Sequence, residues 1–119
     1  MRILIVEDET KVSSFVARGL TAERFAVDVA ADGEAGLELA TTYAYDLIIL
    51  DLMLPRKDGL QFRAEQLADG RLAEIPVIAY SGDARLAEAA TALRVRHWFR
   101  KPIDFGVMLE VIGRYCPEG

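Results

Sequence analysis

Asp46-Leu47-Ile48-Ile49-Leu50-Asp51-Leu52-Met53-Leu54-Pro55 runs four apolar residues straight into an acid. A short apolar run with two β-branched members predicts a strand buried on both faces, as in a parallel sheet covered by helices. In open parallel sheets, ligands sit outside the carboxyl ends of the strands, so a carboxylate closing a central strand points to where chemistry is done. Asp51 is therefore the first candidate functional residue.

Outward from this strand (46–50), the chain alternates strand and helix. Residues 2–6 predict an apolar strand broken by Glu7-Asp8-Glu9-Thr10. A helix over 11–23 then presents Val12, Phe15, Val16 and Leu20 on one face. A strand over 25–30 places Val27 and Val29 on one side, and Asp32 caps a helix over 34–42 that carries Leu37 and Leu39. After the central strand, Pro55 and Asp58-Gly59 predict a loop with a tight turn, followed by a weakly patterned helix over 60–67 closed by Asp69-Gly70. Residues 76–80 predict a strand opening on Pro76 and ending in Ser81-Gly82-Asp83. An Ala-rich helix over 84–93, a strand over 97–100, Lys101-Pro102 and a helix with Phe105, Met108, Leu109 and Ile112 on one face complete the chain. Five strands each followed by a helix predict an α/β, doubly wound parallel sheet with helices on both faces. The common order for such sheets, 2-1-3-4-5, is adopted rather than deduced, and it sets Asp8 beside Asp51.

At 119 residues the chain suits one domain, 1–119, and 52% hydrophobic with 28% charged residues is the composition of an ordinary soluble protein. No apolar run is long enough for a bilayer, and the first one is too short for a signal-peptide core, so a cytoplasmic location and no membrane contact are expected. A net charge of −5 argues against a direct nucleic-acid surface. The single cysteine, Cys116, has no intramolecular disulfide partner and reads as a small apolar residue near the end of the last helix.

Glu7-Asp8, Asp51, Ser81 and Lys101 each follow an apolar strand and so share one rim. Carboxylates this close repel, which predicts raised pKa values or a bound cation, and a hard divalent ion such as Mg²⁺ suits oxygen ligands. Glu9 reads as a solvated loop residue or a helix cap. The Lys101 ammonium can pair with Asp51 or with a phosphoryl group placed on it. The Ser81 hydroxyl can donate to a phosphoryl oxygen or cap the next helix. An acid nucleophile, a metal, a base and a hydroxyl together define a phosphoryl-transfer site in which Asp forms an acyl phosphate.

On these motifs, Ile3-Leu4-Ile5-Val6-Glu7-Asp8-Glu9, Asp51-Leu52-Met53-Leu54-Pro55 with Asp58-Gly59, Pro76-Val77-Ile78-Ala79-Tyr80-Ser81-Gly82 and Lys101-Pro102, the chain resembles the receiver domain of bacterial two-component response regulators over essentially its whole length. The resemblance implies a flavodoxin-like fold and a phosphorelay module whose Asp51 takes phosphate from a histidine kinase or phosphotransfer protein. It implies Mg²⁺ (or Mn²⁺) held by Asp8 directly, by Glu7 through water, and by Asp51 and the Met53 carbonyl. It assigns Lys101 to the phosphoryl group, Ser81 to the activated state and Trp98 to the switch aromatic. Such a module promotes its own phosphorylation and dephosphorylation and turns over no separate substrate.

The sequence departs from the family pattern in two places. Trp98 stands where Tyr or Phe is usual, and Leu93-Arg94-Val95-Arg96-His97 replaces a Gly-Ala turn, making the surface of the fourth helix, fifth strand and fifth helix basic. His97 is read there as exposed and not as a phosphate carrier. Met53 and Asp83 occupy the positions that tune phosphoryl loss in the family. Residues up to Gly59 look like receivers that precede a winged-helix domain, whereas 97–102 look like free-standing ones, so a downstream output protein and a missing output domain are both open. A homodimer through the last two helices is possible. The competing reading is a receiver-shaped interaction module that works without phosphorylation. A phosphohydrolase would need a second acid where Met53 stands.

Overall fold

The computed structural model describes residues 1–54, 58–83, 85 and 87–115. Its elements are β1 (Arg2–Val6), α1 (Thr10–Ala22), β2 (Ala26–Ala30), α2 (Gly33–Thr42), β3 (Leu47–Asp51), α3 (Gly59–Ala68), β4 (Val77–Ser81), α4 (Ala87–Ala92), β5 (His97–Arg100) and α5 (Phe105–Tyr115). Every strand pair is parallel and the sheet order is β2-β1-β3-β4-β5, as expected.

Side chains alternate across the central strands, so each continuous apolar run feeds two cores. Ile48 and Leu50 of β3 pack with Leu4, Val6 and Ala79 beneath Ala40, Phe62 and Ala90 of α2, α3 and α4. Leu47 and Ile49 pack on the other face with Ile3, Ile5, Ile78 and Tyr80 against Val16 and Leu20 of α1 and Met108, Val111 and Ile112 of α5. The expected face of α5 is the one that docks, with Val111 added to it.

Several boundaries move. β3 starts and ends one residue later than the pattern suggests, which brings Asp51 itself into the sheet opposite Tyr80. Pro76 lies just outside β4, yet its carbonyl accepts the Ile48 N–H at 3.0 Å, a place where no donor is needed. α4 spans 87–92 rather than 84–93, and its carboxyl end is a Schellman motif: Arg94 takes φ 62°, Val95 N–H returns to the Ala90 carbonyl and Arg94 N–H to that of Thr91. Ala84, Pro55, Cys116 and Gly119, which entered the sequence reading, lie outside the described residues.

Two apolar residues expected in the core are not there. Phe15 is 54% exposed and sets its ring edge-on to Phe105, because α1 turns only Ser13, Val16 and Leu20 fully inward. Val29 is exposed because β2 is an edge strand. The weak pattern of α3 has a physical cause: its inward stripe carries Arg63 and Gln66 beside Phe62.

Asp32 caps α2 as expected, accepting the Ala35 N–H at 2.8 Å, and Asp58 does the same for α3 through the Gln61 N–H at 2.8 Å. Gly59 is not a turn residue but the first residue of α3, and its lack of a side chain allows close approach to the end of β3. A Cβ there would run into the Asp51 carbonyl oxygen and lie 2.5 Å from the Leu52 Cα. Gly59→Ala should therefore cost about 1–3 kcal/mol in a urea titration, the usual range for overpacking against backbone.

Candidate functional site

The Val6↔Leu50 register brings Glu7 and Asp8, just past β1, level with Asp51 at the end of β3. From the other side, the Lys101 N–H donates to the Ser81 carbonyl at 3.0 Å, continuing the β4–β5 ladder and bringing Lys101 to the same rim. The peptide bond that follows, Lys101-Pro102, is cis.

Asp51 is 1% exposed. Its Oδ1 accepts the Met53 N–H at 2.9 Å and its Oδ2 accepts from Lys101 Nζ at 3.1 Å. Glu7, equally buried, accepts the Tyr80 hydroxyl on Oε1 at 2.8 Å and the Glu9 N–H on Oε2 at 3.0 Å, and Lys101 Nζ lies 3.3 Å from its Oε1. Asp8 is exposed, and one oxygen each from Glu7, Asp8 and Asp51 lie within 4.8 Å of one another. Glu9 is exposed, as expected, with its carboxylate 4.0 Å from Lys101 Nζ.

The charges respond to this crowding. Burial, then the Glu7 carboxylate, pushes Asp51 up to about 6, although the Met53 N–H and Lys101 pull the other way. Burial also acts on Glu7, but the Glu9 N–H and the Tyr80 hydroxyl hold it below its ordinary value. Asp8 is raised by partial desolvation and by Glu7. Burial opposes the charge on Lys101, yet Asp51 and Glu7 outweigh it and raise its pKa. The gathering of three carboxylates and the raised Asp51 and Asp8 match the sequence argument, whereas Glu7 departs from it because the Glu9 N–H and the Tyr80 hydroxyl donate to its carboxylate.

The other sequence-derived residues are placed unevenly. Ser81 is fully buried at the rim, but its Oγ accepts the Asp83 N–H at 3.0 Å. Asp83 is held by Arg85, 2.7 Å away, which lowers its carboxyl to about 2. Met53 is exposed beside an open cavity of about 460 Å³ that Asp8, Asp58 and Asp83 also line. Trp98 is half-buried against the α2–α3–α4 core, and among the described residues its buried Nε1 has no hydrogen-bond partner. His97 is half-buried rather than exposed, because its Nδ1 meets the Tyr115 hydroxyl at 2.7 Å. Tyr80 went unread in the sequence. The signal was present: a tyrosine in an otherwise aliphatic, fully buried strand needs a partner for its hydroxyl.

A family model described as the response regulator receiver domain matches residues 3–113. The response regulator ArlR of Staphylococcus saprophyticus is 36% identical over 108 residues, which make up 91% of this chain and 49% of that protein. The transcriptional activator protein IrlR of Burkholderia pseudomallei is 56% identical over 59 residues, 50% of this chain and 26% of that one. The chain thus spans about half the length, or less, of these curated relatives. A solved sensor protein from a Polaromonas species superposes with a TM-score of 0.89 at 27% identity, covering 98% of this chain and 95% of that one. The receiver domain of a Pseudomonas aeruginosa sensor histidine kinase, solved with a magnesium ion coordinated in its active-site cleft, superposes at 0.86 with 24% identity, covering 98% and 97%.

The fold is a flavodoxin-like, doubly wound parallel sheet. The chain belongs to the response regulator receiver domain family and is a two-component signalling module. Among the described residues, no helix is long and apolar enough to cross a membrane.

Proposed function

We propose that Asp51 is the phosphoacceptor of this receiver and that residues 1–119 form a single domain working in the cytoplasm. The observation that carries the reading is the Asp51 carboxylate, buried at the end of the central strand, 3.1 Å from Lys101 and gathered with two further acids. The donor is a histidine kinase or phosphotransfer protein. An Asp51 oxygen attacks phosphorus, the P–N bond to the donor's imidazole breaks, and the imidazole leaves as the acyl phosphate forms.

The donor set fits Mg²⁺ (or Mn²⁺): all ligand atoms are hard oxygens, and the three carboxylates carry more negative charge than Lys101 offsets. When bound, the ion supplies charge neutralisation at the phosphoryl oxygens. Asp8, which is exposed, and the buried Asp51 would hold it directly, with the Met53 carbonyl, while Glu7, already engaged by Tyr80, the Glu9 N–H and Lys101, would act through water. Lys101 balances the phosphoryl charge. Ser81 donates to a phosphoryl oxygen once it gives up the Asp83 N–H, and Trp98, whose N–H has no partner among the described residues, is the aromatic that responds. The signal passes to a downstream protein or output domain, or into a homodimer, as a shift in the population of two arrangements. No separate substrate is turned over.

With a small acyl-phosphate donor and Mg²⁺, wild type should gain the mass of one phosphoryl group and Asp51→Asn none; phosphorylation of that variant would refute the assignment. Asp8→Ala should weaken Mg²⁺ binding by about 10-fold or more in calorimetry. Unchanged affinity would favour a module that works without phosphorylation.

A further inference from the structure

We propose that Tyr80 is a positioning residue of this site: its hydroxyl fixes the Glu7 carboxylate and so decides how Lys101 is shared between Glu7 and Asp51. This rests on the assignment of Asp51 as phosphoacceptor. Tyr80 is fully buried at the penultimate position of β4, and its hydroxyl donates to Glu7 Oε1 at 2.8 Å. Its ring also lies under the lysine, with Lys101 Nζ 5.4 Å from the ring centroid, within the range of a cation–π contact. One side chain therefore touches both the carboxylate that competes for the lysine and the lysine itself.

The competition is close. Lys101 Nζ is 3.1 Å from Asp51 Oδ2 and 3.3 Å from Glu7 Oε1. Oε1 has two acceptor directions; the tyrosine hydroxyl occupies one and the ammonium stands 3.3 Å away as an ion pair, while Oε2 takes the Glu9 N–H. Without the hydroxyl, a buried Oε1 keeps Lys101 as its only cationic or donor neighbour among the described residues, and the ammonium moves toward Glu7 and away from Asp51. The lysine is then misplaced for the phosphoryl group that arrives on Asp51. A tyrosine that merely filled the core would influence stability but not this partition.

Tyr80→Phe separates the two roles, since it keeps the ring, the packing and the cation–π floor. Its maximum rate of phosphorylation by acetyl phosphate at saturating Mg²⁺ should fall about fivefold, the factor one hydrogen bond carries. The Lys101 Nζ resonance should shift relative to wild type in protein without phosphodonor. In a Glu7→Gln background, where the competitor is gone, the same Tyr80→Phe change should alter the rate less than about twofold. A wild-type rate with an unshifted Lys101 resonance would overturn the proposal, as would an equal loss in both backgrounds. Glu7→Gln alone should shift the lysine resonance in the opposite sense to Tyr80→Phe, and this keeps the idea testable if Tyr80→Phe folds poorly. Should wild type accept no phosphate, the Asp51 reading fails, while the lysine resonance still reports on Tyr80.

Discussion

Asp51→Asn is expected to be more stable than wild type by about 2 kcal/mol at pH 8 and no more stable at pH 3.5. The Asp51 pKa is raised from 3.8 to about 6 in the fold, chiefly by burial and then by Glu7. A group raised in this way contributes stability that is present below its unfolded value and is lost as pH rises through the folded one, so wild type should weaken between about pH 4 and 6. A rise of this size corresponds to about 3 kcal/mol, part of which the amide forfeits by facing Lys101. The neutral amide does not ionise, and its stability curve should stay flat where that of wild type falls. Saturating Mg²⁺ should narrow the difference, because a ligand that binds only the folded wild type stabilises it by mass action. Urea titrations across pH, with and without Mg²⁺, measure both effects; a variant less stable than wild type at pH 8 would show that the site does not strain against its own charge.

The same balance explains what the sequence could reveal. Strands β1 and β5, the Asp32 cap and the α5 face were legible because each rests on a local pattern of alternation, capping or helical spacing. The rim was legible too, since Glu7, Asp8, Asp51, Ser81 and Lys101 all stand at or just past the carboxyl ends of strands. What escaped depends on partners distant in sequence. Phe15 satisfies helical spacing but meets Phe105 at the surface. Gly59 looked like a turn until the end of β3 was placed beneath it. Tyr80 became a site residue only once Glu7, just past β1, stood 2.8 Å from its hydroxyl.

Arg63 is the farthest of these from any local signal, and Arg63→Ala is expected to cost about 3 kcal/mol. An arginine on a helix ordinarily faces water, yet Arg63 is 5% exposed. Its Nε donates to the Leu93 carbonyl at 3.0 Å, one terminal nitrogen to the Arg94 carbonyl at 3.2 Å and the other to Gln66 Oε1 at 2.8 Å. Gln66 in turn donates to the carbonyls of Leu72 and Ile75, both at 2.9 Å. The guanidinium therefore sits at the carboxyl end of α4, where orphan carbonyls concentrate negative charge and a cation is favoured. Burial lowers its pKa. Hydrogen bonds to charged groups are worth roughly 1.5–3 kcal/mol each. Water can restore part of three such bonds, which leaves a net loss near 3 kcal/mol and a melting temperature lower by roughly 10 °C. Arg63→Lys should recover less than half, because an ammonium cannot span three acceptors held in one plane. The loss should be local first: amide exchange at Val95 and His97, which lead into the strand carrying Trp98 and then to Lys101, should quicken before that of β1 or β3. A loss below about 1 kcal/mol, or uniform exchange, would mean that α4 and β5 hold their turn without the arginine.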